Sequence, residues 1–343
     1  MRTIDQLRSR KLKGATRLSL SCHLTTFPSE IFDLADTLEI LDLTGNHLSA
    51  LPATITKLRH LKILFLSDNE FTEFPSVLSG CTQLKMIGMK ANKINRIAED
   101  VLPQGIRWLI LTNNKLKQIP RSIGTCVNLQ KLMLAGNQLS ELPDEMVHCQ
   151  KLELLRISAN HFEKFPSWLF SMPRLSWLAL AGNPATKTDG REDQLPEIPW
   201  HELKIEHLLG EGASGIISKA RWRNDKTECE VAVKVFKGEV TSDGLPINEM
   251  NACIAAGGHS HLVKVLGKII GHPDHKQGLV FNLIDPSFRN LGGPPDFETC
   301  TRDTFKSGTA FSEQQNRTDR AGNRFSSCSF ASTKYHARRS LCA

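Results

Sequence analysis

The sequence predicts an α/β fold in two parts: a solenoid of about eight repeats stacked into a curved parallel sheet, then an antiparallel sheet with one helix. Three observations predict it. One asparagine recurs seven times behind the same apolar frame before residue 184, a polar and proline-bearing stretch then ends the periodicity, and β-type segments around a glycine-rich hairpin follow. The boundaries fall at 1–184 for the solenoid, 185–200 for a linker, 201–302 for the second domain and 303–343 for an irregular, disordered tail. A length of 343 residues accommodates two domains, and 40% hydrophobic with 23% charged residues excludes wholesale disorder.

The first half is set by its period. Asn46, Asn69, Asn92, Asn114, Asn137, Asn160 and Asn183 stand 23, 23, 22, 23, 23 and 23 residues apart. Each follows an apolar frame such as Leu38-x-x-Leu41-x-Leu43 or Leu129-x-x-Leu132-x-Leu134, and most precede an apolar-Pro step, as at Leu51-Pro52 and Leu142-Pro143. An irregular opening copy runs from Leu18 to Pro28, with Cys22 in the asparagine place. This pattern resembles the leucine-rich repeat. A repeat of this kind cannot bury its own leucines, so neighbouring copies must stack. The asparagines sit where the chain leaves each strand, and their amides can satisfy buried backbone groups there. Cys81, Cys126 and Cys149 share one repeat position and read as small buried fillers, not as ligands or disulfide partners.

Function in such a solenoid is expected on the strand residues that face out of the concave surface. Among Ile40, Asp42, Phe65, Met86, Lys90, Trp108, Ile110, Met133, Arg156 and Trp177, the large apolar and aromatic side chains suit a protein or peptide partner. Phe65, Met86, Trp108, Ile110, Met133, Arg156 and Trp177 are the candidate partner residues, and packing of these side chains on one another is the alternative reading. His23, His47, His60 and His161 are scattered, with no metal-ligand spacing among them.

After Asn183-Pro184 the segment ATKTDGREDQLPEIP has the composition of a linker. β-type segments then run over Leu203–Leu209, Ile216–Arg221, Val231–Phe236, Ile269–Ile270 and Gly278–Ile284, with a helix over Pro246–Ala256. Gly210-Glu211-Gly212-Ala213-Ser214-Gly215 lies in a hairpin between two strands, which argues against a dinucleotide fold, where such glycines open a helix. Val231-Ala232-Val233-Lys234 follows on a strand, then Glu249 on the helix and a His-rich turn at His259-Ser260-His261. In this order the features resemble the N-terminal lobe of a protein kinase, and the whole chain resembles leucine-rich-repeat Ser/Thr protein kinases.

The resemblance implies ATP with Mg2+ as cofactor. Gly210, Gly212 and Gly215 would let backbone amides approach the phosphates, with Ile217 and Ala232 on either side of the adenine. Lys234 would pair with the phosphates and with Glu249, Phe281 would gate the adenine pocket, and Asn282 and Leu283 would belong to the hinge. Lys234 as an ordinary surface lysine and Glu249 as a solvated helix residue are the plainer alternatives. No H-R-D catalytic loop and no D-F-G occurs in the 343 residues, so no catalytic residue is assigned and the kinase part reads as truncated after its first lobe. The activity follows as uncertain: a protein kinase by family, inactive in this chain, or a protein-interaction scaffold with a vestigial ATP-binding lobe.

The tail has two readings. Residues 303–343 hold seven Lys/Arg against Asp303, Glu313 and Asp319, so +4 of the net +7 lies there. A natural basic tail is one reading. A shifted reading frame is the other, because Thr318–Ala343, read from the second base of suitable codons, can encode an amphipathic helix running into H-G-D-L. With the remaining charge nearly balanced, no nucleic-acid partner is expected. The chain shows no apolar run near the roughly 20 residues of a membrane span and no signal-like start, and its nine cysteines make no framework. A cytoplasmic location is the expectation.

Overall fold

The computed structural model describes residues 4–9, 11–186, 195–211, 215–225, 228–237 and 263–285, with the single residues 293, 304, 305 and 308. The chain divides into two compact units.

In the repeats, β1 (Arg17–Ser19), β2 (Ile40–Asp42), β3 (Ile63–Phe65), β4 (Met86–Gly88), β5 (Trp108–Ile110), β6 (Lys131–Met133), β7 (Leu154–Arg156) and β8 (Trp177–Ala179) form one sheet in sequence order. From β2 to β7 the neighbouring strands pair in parallel without a slip, so Leu41, Leu64, Ile87, Leu109, Leu132 and Leu155 lie in one row. All six are at most 1% exposed. The row is the reason for the period: each leucine is buried by the copies before and after it.

The return path is set by proline. Pro28, Pro52, Pro75, Pro120, Pro143 and Pro166 each stand directly before a 3-10 turn. The fixed φ of proline suits the entry, and its carbonyl accepts from the buried third residue of the turn, as Ile123 N–H to Pro120 at 3.1 Å. The repeat between Asn92 and Asn114 has Ala98 in the proline place, is one residue shorter and makes no such turn; buried Val101 and Leu102 fill the space instead. Gly124 lets two turns close on each other, since a Cβ there would lie 2.6 Å from the Glu145 carbonyl oxygen.

The seven asparagines are all buried. Each amide ties neighbouring repeats together. Asn137 Nδ2 donates to the Leu111 and Leu134 carbonyls at 2.9 Å, and its Oδ1 accepts from Leu116 N–H at 3.0 Å. Asn46 serves the irregular opening copy, where the N–H groups of both Cys22 and Leu24 donate to its Oδ1. Cys81, Cys126 and Cys149 are buried and free. At the open end, helix α1 (Ile4–Arg8) brings Leu7, 1% exposed, onto the first turn, and Arg8 pairs with Glu30 at 3.0 Å.

The second unit is a six-stranded sheet of β9 (Glu197–Pro199), β10 (Leu203–Glu211), β11 (Gly215–Arg223), β12 (Glu228–Phe236), β13 (Val265–Ile270) and β14 (Gly278–Asn282). The order is β10-β11-β12-β14-β13-β9, antiparallel throughout except that β9 joins β13 in parallel. The segment 185–200, expected to be a linker, supplies the sixth strand and places Ile198, 1% exposed, in the core. The strand expected at Ile269–Ile270 begins at Val265, and that expected at Gly278–Ile284 ends at Asn282. The expected helix over 246–256 and all but three residues of the tail lie outside the described residues. Among the described residues, no helix is long and apolar enough to cross a membrane.

Candidate nucleotide face and repeat face

Antiparallel register decides which side chains share a face, because directly opposed residues point the same way and alternate residues point apart. Ile217 opposes Lys234, which opposes Leu279; Ala232 opposes Phe281; Gly215 opposes Phe236. Ile217, Ala232, Lys234 and Phe281 therefore lie on one side of the sheet. The other side carries Ala220, Val231, Val233 and Val280, which pack with Ile198, Leu203 and Ile269.

Lys234 is 4% exposed, which rules out the ordinary surface lysine. Its Nζ lies 5.1 Å from the centre of the Phe236 ring. Gly215 leaves room for its stem: a Cβ there would meet Lys234 Cε at 3.2 Å and the Val235 carbonyl at 2.7 Å. Gly210 opposes Ile217 across the hairpin. Glu211, next to Gly210, forms an ion pair with Lys237 at the hairpin mouth. Asn282 opposes Val231 and so lies on the other side, with its N–H donated to the Lys264 carbonyl at 3.0 Å. Leu283 follows directly after β14, half-buried. Gly212 and Glu249 lie outside the described residues.

Two members of this face escape motif reading. Leu279, fully buried opposite Lys234, and Phe236, 3% exposed below its ammonium, belong to no motif. Period-two alternation after Ala232 and Lys234 is the signal that reaches Phe236. Further along, Lys219 opposes Ala232 and pairs with Glu230 at 2.5 Å and with Glu206 at 3.6 Å. The Glu230 hydrogen bond raises the Lys219 pKa, and the same bond lowers that of Glu230. Among the described residues, no group of three or more His, Cys, Asp or Glu is placed to hold a metal ion.

On the repeats, two rows form the outer face. Ile40, Ile63, Met86, Trp108, Lys131 and Leu154 make one, and Asp42, Phe65, Gly88, Ile110, Met133 and Arg156 the other. Phe65, Trp108, Ile110, Met133, Arg156 and Trp177 are half-buried, whereas Met86 is buried, held between its direct neighbours Ile63 and Trp108. The expectation that Met86 is exposed is corrected accordingly. Side chains interlock along the rows: the Phe65 ring lies over Gly88, where a Cβ would be 2.7 Å from it, and Lys131 Nζ sits 3.8 Å from the Trp108 ring centre. Arg156 Nη1 reaches Met133 Sδ at 3.9 Å.

Comparison with known proteins agrees with both halves. The leucine-rich repeat family matches residues 36–94, 104–162 and 127–184. The protein tyrosine and serine/threonine kinase family matches residues 203–286. Among solved structures, a leucine-rich-repeat protein of Leptospira interrogans is similar at 26% identity and a TM-score of 0.38. That match covers 50% of this chain and 56% of the other, little more than half its length. No curated protein matches the sequence.

Proposed function

We propose, for a chain that joins leucine-rich repeats to a protein-kinase segment, that the second sheet binds ATP with Mg2+ and that the repeats hold a protein partner. The observation that carries the nucleotide reading is the shared face of Ile217, Ala232, Lys234 and Phe281. Ile217 and Ala232 offer apolar surface to an adenine, with Phe281 beside it. Lys234, charged and almost fully buried, offers the cation for the phosphates. Gly210, Gly212 and Gly215 supply backbone amides with no side chain of their own in the way, and Glu249, Asn282 and Leu283 complete the proposed set. ATP supplies the transferable phosphoryl group, and Mg2+ neutralises its charge.

The family activity is phosphoryl transfer to protein Ser/Thr. It needs a carboxylate to accept the hydroxyl proton and another to hold the metal, and the 343 residues contain neither H-R-D nor D-F-G. The second reading for these residues is a protein-interaction scaffold with a vestigial ATP-binding lobe. Leucine-rich repeats commonly mediate protein–protein contacts. Here Phe65, Trp108, Ile110, Met133, Arg156 and Trp177 are the partner residues proposed, in a cytoplasmic setting.

Titration of the full chain with a fluorescent ATP analogue and Mg2+ tests the reading. Wild type binds saturably, unlabelled ATP competes, and Lys234→Met weakens binding at least tenfold. Equal binding by wild type and Lys234→Met contradicts the assigned face. Radiolabelled ATP and a generic protein substrate separate the two readings, since the scaffold transfers no label.

A further inference from the structure

We infer that Leu195–Glu202 is a strap that grips both faces of the lobe and holds the nucleotide face in shape, so that displacing it switches nucleotide binding off. The inference rests on the nucleotide reading above and goes beyond it, because none of these residues belongs to the nucleotide face.

The strap occupies a prepared seat. Without β9, β13 would end the sheet with its backbone groups open. β9 pairs with it over Lys268–Glu197, Ile269–Ile198 and Ile270–Pro199, and Lys268 N–H donates to the Pro196 carbonyl at 2.9 Å. Gly267 makes the approach possible. A Cβ there would lie 2.7 Å from Ile198 Cδ1 and closer still to the Pro196 carbonyl oxygen. No other residue type fits at 267 while the strap is in place.

The grip is two-sided. Ile198 is 1% exposed and packs in the core with Val233 and Val280, behind the nucleotide face. Leu195 packs on the other cluster, with Phe236, Leu279, Val265 and Phe281. Phe236 lies below the Lys234 ammonium, Leu279 opposes Lys234, and Phe281 opposes Ala232. Leu195 thus supports the side chains that wall Lys234, without belonging to that wall.

The strap is also fastened along its length. Glu197 pairs with Lys268 at 2.7 Å, the Trp200 ring lies 4.3 Å from that of His272, and Trp222 Nε1 donates to Glu202 at 2.8 Å. Only residues 187–194 separate the strap from Thr186 at the end of the repeats. The covalent path from partner-binding repeats to nucleotide face therefore runs through a strand that clamps that face.

Hydrogen–deuterium exchange and fluorescent ATP-analogue titration on the full chain test this together, with wild type, Gly267→Val, Ile198→Asp and Leu195→Ala. Gly267→Val and Ile198→Asp are expected to speed exchange of β13 at least tenfold and to weaken nucleotide binding at least tenfold, with the repeats unchanged. Faster β13 exchange with unaltered nucleotide affinity overturns the coupling, leaving β9 as packing alone. Unchanged β13 exchange in both variants overturns the strap itself, whether or not nucleotide binds. Where wild type binds no nucleotide, the nucleotide reading and the coupling built on it both fail, while β13 exchange still judges the strap. Should Ile198→Asp also open β10 and β11, Leu195→Ala decides: weaker nucleotide binding with β10 and β11 still protected supports the coupling, and unchanged binding refutes it.

Discussion

Replacing Asn137 with alanine isolates what holds one repeat to the next. The side chain makes three buried hydrogen bonds, and their loss is unequal. The Leu111 and Leu134 carbonyls keep a second amide, from Asn114 at 3.1 Å and from Asn160 at 3.0 Å. Leu116 N–H has Asn137 Oδ1 as its acceptor and is left buried without it. An orphaned N–H costs about 1–3 kcal/mol and each lost carbonyl bond about 0.5–1.5 kcal/mol. The sum is roughly 2–6 kcal/mol, centred near 4. Native-state hydrogen exchange of the β5 and β6 amides in the full chain reads this directly, since those amides exchange when the central repeats open. At about 1.4 kcal/mol per decade, protection at Leu109 and Leu132 falls roughly a thousandfold. A fall of less than tenfold would show that the amide ladder is not what ties the repeats, and the physical account of the period would fail.

Other perturbations follow from the same contacts. Gly124→Ala drives a methyl against the Glu145 backbone and costs about 1–3 kcal/mol by overpacking; an unchanged urea midpoint for the solenoid would contradict it. Burial pushes the Cys126 thiol up to about 11 and the Cys149 thiol up to about 12. In the unfolded chain both ionise near 9, so below that pH their contribution to stability is fully present. It is lost as pH rises from about 9 towards 11–12, at up to about 1.4 kcal/mol per pH unit for each thiol. A thiol reagent at pH 8 should modify exposed Cys22 and spare both buried thiols until the chain unfolds; rapid native reaction at Cys149 would refute the burial argument.

The repeats are legible in the sequence because their signal is multiplied. One asparagine in seven copies, with leucines at fixed offsets, reports a geometry that every copy must share. The buried role of Cys81, Cys126 and Cys149 follows from their common position. Lys234 and Ala232 are legible because a glycine hairpin and a strand lysine occur in order, and strand alternation then dictates their shared face. What the sequence conceals is non-local. Glu197–Pro199 is three residues long, charged and proline-bearing, and it looks like linker; its strand character comes from pairing with β13, some seventy residues away. Leu195, Leu279 and Phe236 carry no motif, and their place beside Lys234 exists only once the sheet is assembled. Met86 has the composition of an exposed binding residue and is buried because Trp108 and Ile63 flank it. Gly124 and Gly267 look like any other glycines until a neighbouring backbone arrives against them.

Hydrogen–deuterium exchange of the full chain with and without ATP and Mg2+ tests the central claim most directly. The account predicts slower exchange confined to the peptides covering Gly215–Ala220, Val231–Phe236 and Gly278–Leu283, with the repeats unaffected and the effect abolished by Lys234→Met. Protection elsewhere, or protection that survives Lys234→Met, would contradict it.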